Sequence, residues 1–243
     1  MIGFLNNKKN NKKLKLICFD IDNTLVDYGT AESEAEVHIS EILSKSTGKN
    51  IMDILRAFNK IKNKYLHHDM DPKSFSRKLW IEKTLVLLDL KLSNLNKPVN
   101  TEMLEKEYWD YLIPRMKLFP NSLHVLEFLK NSGNYKIACL TDSDGNKEIK
   151  VRRLKNLDID KYFDYIITTD DTGMNKPSIE NWKYLLKLSG LKGEECMMVG
   201  DHPEVDLENA KKLGFITVWT KEHISVDVNI KYVDYEIKDI IEV

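Results

Sequence analysis

The chain has 243 residues, which suits one larger domain or a core with an inserted second domain. Lysine and arginine total 37 against 38 aspartates and glutamates, a formal net charge of −1, so no general pull toward nucleic acid or anionic lipid is expected. Mean hydropathy is −0.41 and no apolar run approaches the roughly 20 residues of a membrane span, so a soluble chain with no membrane partner is expected.

The N-terminus holds a basic, Asn-rich stretch over 8–15, read as a solvated tail, and lacks the apolar segment of a signal peptide. The three cysteines, Cys18, Cys139 and Cys196, fit no zinc spacing and are odd in number. They read as reduced core residues of a cytoplasmic protein.

A rhythm then sets in of short apolar run, polar loop and helical stretch. Leu14–Phe19 ends at Asp20, and Tyr135–Leu140 ends at Thr141. Tyr165–Thr168 ends at Thr169-Asp170-Asp171, Cys196–Val199 at Gly200-Asp201, and Phe215–Trp219 at Thr220. These read as buried strands. Helical stretches are expected at about 121–131, 145–156, 178–189 and 205–213, with Pro177 in a first turn and Gly133, Gly190 and Gly214 as helix stops. Strand–helix alternation predicts a parallel, Rossmann-like sheet with helices on both faces.

Residues 28–116 break the rhythm. Only Gly29 and Gly48 occur there, and apolar residues recur at helical spacing: Val37, Ile42 and Leu43; Leu55, Phe58, Ile61 and Tyr65; Trp80, Leu85, Leu87 and Leu88; Leu104, Tyr108, Tyr111 and Leu112. Asp71-Pro72, Lys97-Pro98 and Ile113-Pro114 punctuate the stretch, giving about four helices in a small bundle. Residues 1–27 and 117–243 then form the α/β core and 28–116 an inserted lid above the strands' carboxyl ends, where ligands bind in such sheets.

In a parallel sheet all carboxyl ends lie on one edge. Asp20, Asp22, Thr141, Asp201 and a nearby lysine are therefore expected to converge, although they lie far apart in the chain. Clustered carboxylates repel and need a cation, and a hard, oxygen-preferring ion such as Mg²⁺ fits. A lysine and a threonine hydroxyl suit a phosphoryl group, one carboxylate suits a nucleophile on phosphorus, and a second suits proton transfer.

Asp20-Ile21-Asp22-Asn23-Thr24-Leu25, Thr141 after an apolar strand, Asn175-Lys176-Pro177 and Gly200-Asp201-His202-Pro203-Glu204-Val205-Asp206 stand in the order of four motifs of one family. The chain resembles the haloacid dehalogenase-like superfamily in its phosphatase branch, with a helical cap after the first motif. The resemblance implies Asp20 as nucleophile and Asp22 as general acid/base, with Asp20, Asp201 and the Asp22 backbone carbonyl in the Mg²⁺ shell. It also implies Thr141 and Lys176 as phosphoryl binders and Asp206 as a support for the loop or its waters. An aspartate at position 22 favours a phosphate ester over a haloacid, since a departing halide needs no proton. The implied function is a Mg²⁺-dependent phosphatase of a small phosphorylated metabolite, such as a sugar phosphate, a triose phosphate or phosphoglycolate. A phosphotransferase or mutase, and a phosphate sensor without turnover, are the alternatives.

Other signals read more plainly. Asp20-x-Asp22 and Asp142-x-Asp144-x-Asn146 lack the glycine and glutamate of a calcium loop. Asp142-Ser143-Asp144 is expected to cap the next helix, and His67-His68-Asp69 to be a solvated loop. His202 is expected beside the site without a chemical role, Tyr28 directly after the first motif but apart from the substrate, and the four tryptophans as core or half-buried packing residues. Asn209 stands where the family commonly has glycine.

Overall fold

The computed structural model describes residues 14–66, 69–91, 100–222 and 230–243. The His67-His68 pair, Lys97-Pro98 and most of the basic tail lie outside them.

The chain enters through β1 (Leu16–Phe19), whose four residues are all buried. β2 (Val26–Asp27) follows, then four helices: α1 (Tyr28–Thr47), α2 (Ile51–Tyr65), α3 (Arg77–Leu87) and α4 (Thr101–Leu112). β3 (Lys117–Leu118) returns antiparallel to β2, pairing Val26 with Leu118 and Asp27 with Lys117. This two-stranded ribbon carries the chain out of the sheet layer and back. Next come α5 (Ser122–Ser132), β4 (Lys136–Thr141), α6 (Lys147–Asn156), β5 (Tyr165–Thr168) and α7 (Glu180–Ser189). β6 (Cys196–Gly200), α8 (Glu208–Lys212), β7 (Ile216–Thr220) and β8 (Tyr235–Ile237) complete the order.

Among the described residues six strands form one sheet in the order β5-β4-β1-β6-β7-β8, every pairing parallel. Side chains alternate between its faces. Ile17, Phe19, Ile137, Cys139, Met197 and Val199 pack with Val125, Leu126 and Leu129 of α5 and Leu154 of α6. Leu16, Cys18, Ala138, Leu140 and Met198 pack with Trp182 and Leu185 of α7 and with Ala210 and Phe215. Both faces are thus covered, which explains why the strands read as unbroken apolar runs. Each such side chain contributes about 1.5–3 kcal/mol by leaving water. The three cysteines are buried free thiols, and no helix among the described residues is long and apolar enough to cross a membrane.

The four helices of the insert pack on one another around Leu43, Phe58, Trp80 and Tyr108. Val37 and Leu87, expected on their apolar faces, are instead exposed. Asn50, Ser76 and Asn100 cap α2, α3 and α4, each accepting a backbone N–H in the first turn.

Several expectations need correction. β2, β3 and β8 were not anticipated, because two or three residues show no readable alternation. Pro177 is not in the first turn of α7, which begins at Glu180 behind an Ile179 cap. Residues 175–178 instead form a turn, closed by the Ser178 N–H on the Asn175 carbonyl at 3.0 Å. The expected helix over 205–213 is a π-helical turn, Pro203–Leu207, followed by the short α8. The turn lets the Asp206 carboxylate reach back to the His202 N–H at 3.1 Å.

Candidate active site

β1 delivers Asp20 to the carboxyl edge of the sheet, where its N–H donates to the Val199 carbonyl of β6 at 2.9 Å. The chain then turns tightly. The Ile21 carbonyl accepts from Leu25 N–H at 2.9 Å and Val26 N–H at 3.1 Å, and Asn23 takes a positive φ of 61°. That turn aims Thr24 back at the site, where its hydroxyl donates to Asp201 Oδ1 at 3.3 Å.

The fourth strand end supplies Asp201. Its carbonyl accepts the Trp219 indole N–H at 2.9 Å, so this tryptophan fixes the site backbone as well as packing. Gly200 is required for packing: a Cβ there would lie 2.6 Å from the Asp206 carboxylate. Asp206 is buried against it.

Lys176 is the centre of the charge network. Its Nζ donates to Asp20 Oδ1 and Asp206 Oδ1, each at 2.7 Å, and the side chain is 3% exposed. Asp142 Oδ1 holds the Lys176 backbone N–H at 2.9 Å, and Asn209 Nδ2 holds the Pro177 carbonyl at 2.5 Å. An asparagine in place of the common glycine thus tethers the loop that carries the lysine. Thr141, at the end of β4, lines the same cavity.

Burial raises the Asp20 carboxyl to about 7: Lys176 pulls it down, while Asp206 and Asp22 push it up. Asp201 rises to about 8 through burial and then through the charges of Asp206 and Asp20. Asp20, Asp201 and Asp206 offer oxygens within 4.8 Å of one another. Three carboxylates around one lysine, two buried and Asp201 half-buried, are short of positive charge, and an oxygen-preferring divalent cation fits that deficit. Both oxygens of Asp206 are engaged, one by Lys176 and one by the His202 N–H, so Asp206 serves the lysine and the loop.

Asp22 is placed differently from the proton donor expected beside Asp20. Its carboxylate accepts from Lys150 Nζ at 2.6 Å and from Arg153 Nη1 at 3.1 Å and Nη2, all on α6. Burial alone would raise its pKa, but Arg153 and Lys150 override that and hold it ionised, below the ordinary carboxylate range.

The acidic loop 142–144 does not cap α6. Asn146 does, accepting from Glu148 N–H at 2.7 Å. Asp142 is drawn away by Lys176, and Asp144 by Arg153 at 2.8 Å and Lys150 at 3.4 Å.

The insert closes over this edge. A cavity of about 210 Å³ is lined below by Asp20, Thr141, Lys176 and Asp201, and above by Tyr28, Glu32, Leu66, Phe75 and Arg77. Tyr28, expected apart from the substrate, instead borders the site, and His202 lines it too. Asn175, fully buried, latches the two layers. Its Nδ2 reaches the carbonyls of Asp69 at 2.8 Å and Asp71 at 2.9 Å, and its N–H reaches that of Met70 at 2.7 Å. Gly145, at φ 82°, lies so close to Ser76 of the insert that a Cβ would fall 2.6 Å from the Ser76 Cα. Asn175, Trp219 and the Lys150–Arg153 pair carried no sequence signal beyond adjacency to the motifs.

Fold and site define a doubly wound α/β enzyme that handles a small ligand at the carboxyl edge of its sheet, beneath a helical insert. A family model described as haloacid dehalogenase-like hydrolase matches residues 14–214, and the chain belongs to that family. The glyceraldehyde 3-phosphate phosphatase of Methanocaldococcus jannaschii is 37% identical over 111 residues, 46% of this chain and 47% of that protein. The chain thus spans about half the length of that relative. The protein of the same name from Pyrococcus furiosus is 26% identical over 231 residues, 92% of this chain and 88% of its own. In fold, the crystal structure of a HAD phosphatase from Thermococcus onnurineus matches with a TM-score of 0.70 at 24% identity, covering 93% of this chain and 94% of that one.

Proposed function

We propose that this chain is a cytoplasmic, Mg²⁺-dependent phosphatase of a small phosphorylated metabolite, working through an aspartyl-phosphate at Asp20. The observation that carries the reading is Asp20 itself, buried, bound to Lys176 at 2.7 Å and lining one cavity with Thr141 and Asp201. The phosphatase names of the two relatives agree with it. In this reading residues 28–116 are the cap, and 1–27 with 117–243 the core.

Asp20 Oδ attacks phosphorus and the P–O bond to the substrate carbon skeleton breaks. Lys176 and Thr141 hold the phosphoryl oxygens through the step. Asp20, Asp201 and the Asp22 carbonyl would hold Mg²⁺, which supplies positive charge opposite the phosphoryl oxygens. Water then attacks the aspartyl-phosphate, inorganic phosphate leaves and the Asp20 carboxylate returns. Asp22 takes the proton of that water only once its carboxylate has left Lys150 and Arg153, which otherwise make it a weak base. Giving a proton to the leaving oxygen requires its carboxyl to turn away from those two cations.

The test is phosphate release from a panel of small phosphate esters with and without Mg²⁺. Turnover that needs the ion is expected, and a protein inert toward every ester ends the reading. Metal binding has a readout of its own. Asp20 and Asp201 titrate in the folded protein at about 7 and about 8, against about 3.9 unfolded. Between these values the native state holds more protons than the unfolded chain, so stability falls as pH rises. Mg²⁺ replaces the protons. At one hundred times its dissociation constant it should add about 2.7 kcal/mol at pH 8, and much less at pH 5, in thermal unfolding. Equal shifts at both pH values would contradict the assigned ligands.

A further inference from the structure

The cap wall of the cavity carries a charge network outside the four motifs. Arg77 is 2% exposed, with its guanidinium 4.0 Å from the Trp80 ring centroid and 5.0 Å from that of Trp109. Facing an anionic substrate, such a cation would ordinarily be an anion receptor. Here its two terminal nitrogens are already engaged, and its Nε is buried away from the cavity. Nη1 donates to the Phe75 carbonyl at 2.7 Å, and Nη2 to the Tyr28 hydroxyl and to Glu32 Oε1, the latter at 3.0 Å. The second oxygen of Glu32 accepts from Lys62 at 3.2 Å, and Lys62 also pairs with Glu36. Two cations meet two carboxylates, so the wall is neutral as a whole. What it turns to the cavity beside Arg77 is the carboxylate of Glu32, still 15% exposed.

Two consequences follow. A carboxylate has about four lone-pair sites, and two hydrogen bonds leave room to accept from a substrate hydroxyl. An anionic group brought to the same wall would meet the Glu32 carboxylate with both of the wall's cations already engaged, above a floor where Asp20, Asp22 and Asp201 stand beside Lys150 and Lys176. Leu66 and Phe75 supply apolar contact for a short carbon chain. A cavity of about 210 Å³, some seven waters at about 30 Å³ each, suits a short ester.

We infer that Glu32, held by Arg77 and Lys62, selects phosphate monoesters whose other end is uncharged and hydroxyl-bearing, and turns away esters carrying a carboxylate or a second phosphate. This rests on the phosphatase reading and names its substrate class. Tyr28 fixes the network to the core, since its ring also lies 4.2 Å from the Arg153 guanidinium.

The test compares kcat/KM, with Mg²⁺ present, for glyceraldehyde 3-phosphate and 3-phosphoglycerate, which share a skeleton and differ by an aldehyde against a carboxylate. The wild-type protein is expected to favour the aldehyde at least about tenfold, well inside the discrimination that unpaired polar groups in a site can reach. Glu32→Gln is expected to shrink that ratio about tenfold, by lowering KM for the carboxylate ester. Equal use of both esters by the wild type overturns the inference, and so does an unchanged ratio in a folded Glu32→Gln protein. Should that variant fail to fold, the wild-type ratio decides alone. No release from any ester, p-nitrophenyl phosphate included, removes the phosphatase reading and this inference with it, whereas turnover without discrimination removes the inference only.

Discussion

Asp20→Asn is expected to lower phosphate release by about 10⁴-fold or more, the scale of losing a covalent nucleophile. The amide keeps the size and shape of the carboxylate but cannot attack phosphorus. The fold should survive. Lys176 keeps its second partner, Asp206, at 2.7 Å, and the Asp20 backbone stays bound to Val199. Burial already disfavours the charged form of this carboxyl, so removing the charge relieves a cost while it removes a hydrogen bond. Thermal unfolding should therefore remain cooperative with a midpoint near that of the wild type. Label from a phosphorus-labelled ester should appear on the wild-type protein after acid quenching, and be missing from the variant. Near-normal release by a well-folded variant would remove Asp20 from the mechanism.

The second large effect is on stability. Lys176→Met should destabilise the metal-free protein by about 3–5 kcal/mol at pH 8, the cost of leaving buried charge without its partner. Lys176 is raised well above its ordinary pKa: burial would lower it, but Asp20, Asp206 and Asp142 outweigh that. A cation with a raised folded pKa contributes stability that is fully present below its unfolded value of about 10.4. The whole range from pH 5 to 8 therefore lies inside the window where the lysine stabilises. The size of the loss depends on the carboxylates it leaves behind. Toward pH 5 the raised Asp20 carboxyl takes up its proton and the penalty shrinks, so the urea midpoints of wild type and variant should converge as pH falls. Equal midpoints at pH 8 without metal would show that the lysine is not what holds the two aspartates.

Much of the site was legible because its placement follows from local pattern and topology. Apolar runs ending in Asp20, Thr141 and Asp201 mark strand ends, and parallel strands put their ends on one edge, so convergence needed no knowledge of contacts. Lys176 was legible only as part of a motif: the chain around it is a turn, and its position is set by Asp142 and Asn209 from two other segments. The role of Asp22 was legible as chemistry but not as geometry. Its partners Lys150 and Arg153 lie 128 and 131 residues away on a helix whose own pattern is an ordinary charged face.

The same contrast holds for the insert. Helical spacing marked its four helices, and the break in strand rhythm marked where it leaves and rejoins the sheet, close to the β2–β3 ribbon. It did not show that Arg77 would be buried in an aromatic box, since a lysine- and arginine-bearing helix start reads as solvated. Nor did it show that Asn175 would hold the insert down through backbone carbonyls. By itself the sequence determined what short-range physics encodes: the strands, most of the helices, and which chemical groups stand at the sheet edge. Only the tertiary structure decided which charge faces which, because hydrogen-bond partners drawn from segments a hundred residues apart are chosen by packing, and packing leaves no period in the chain.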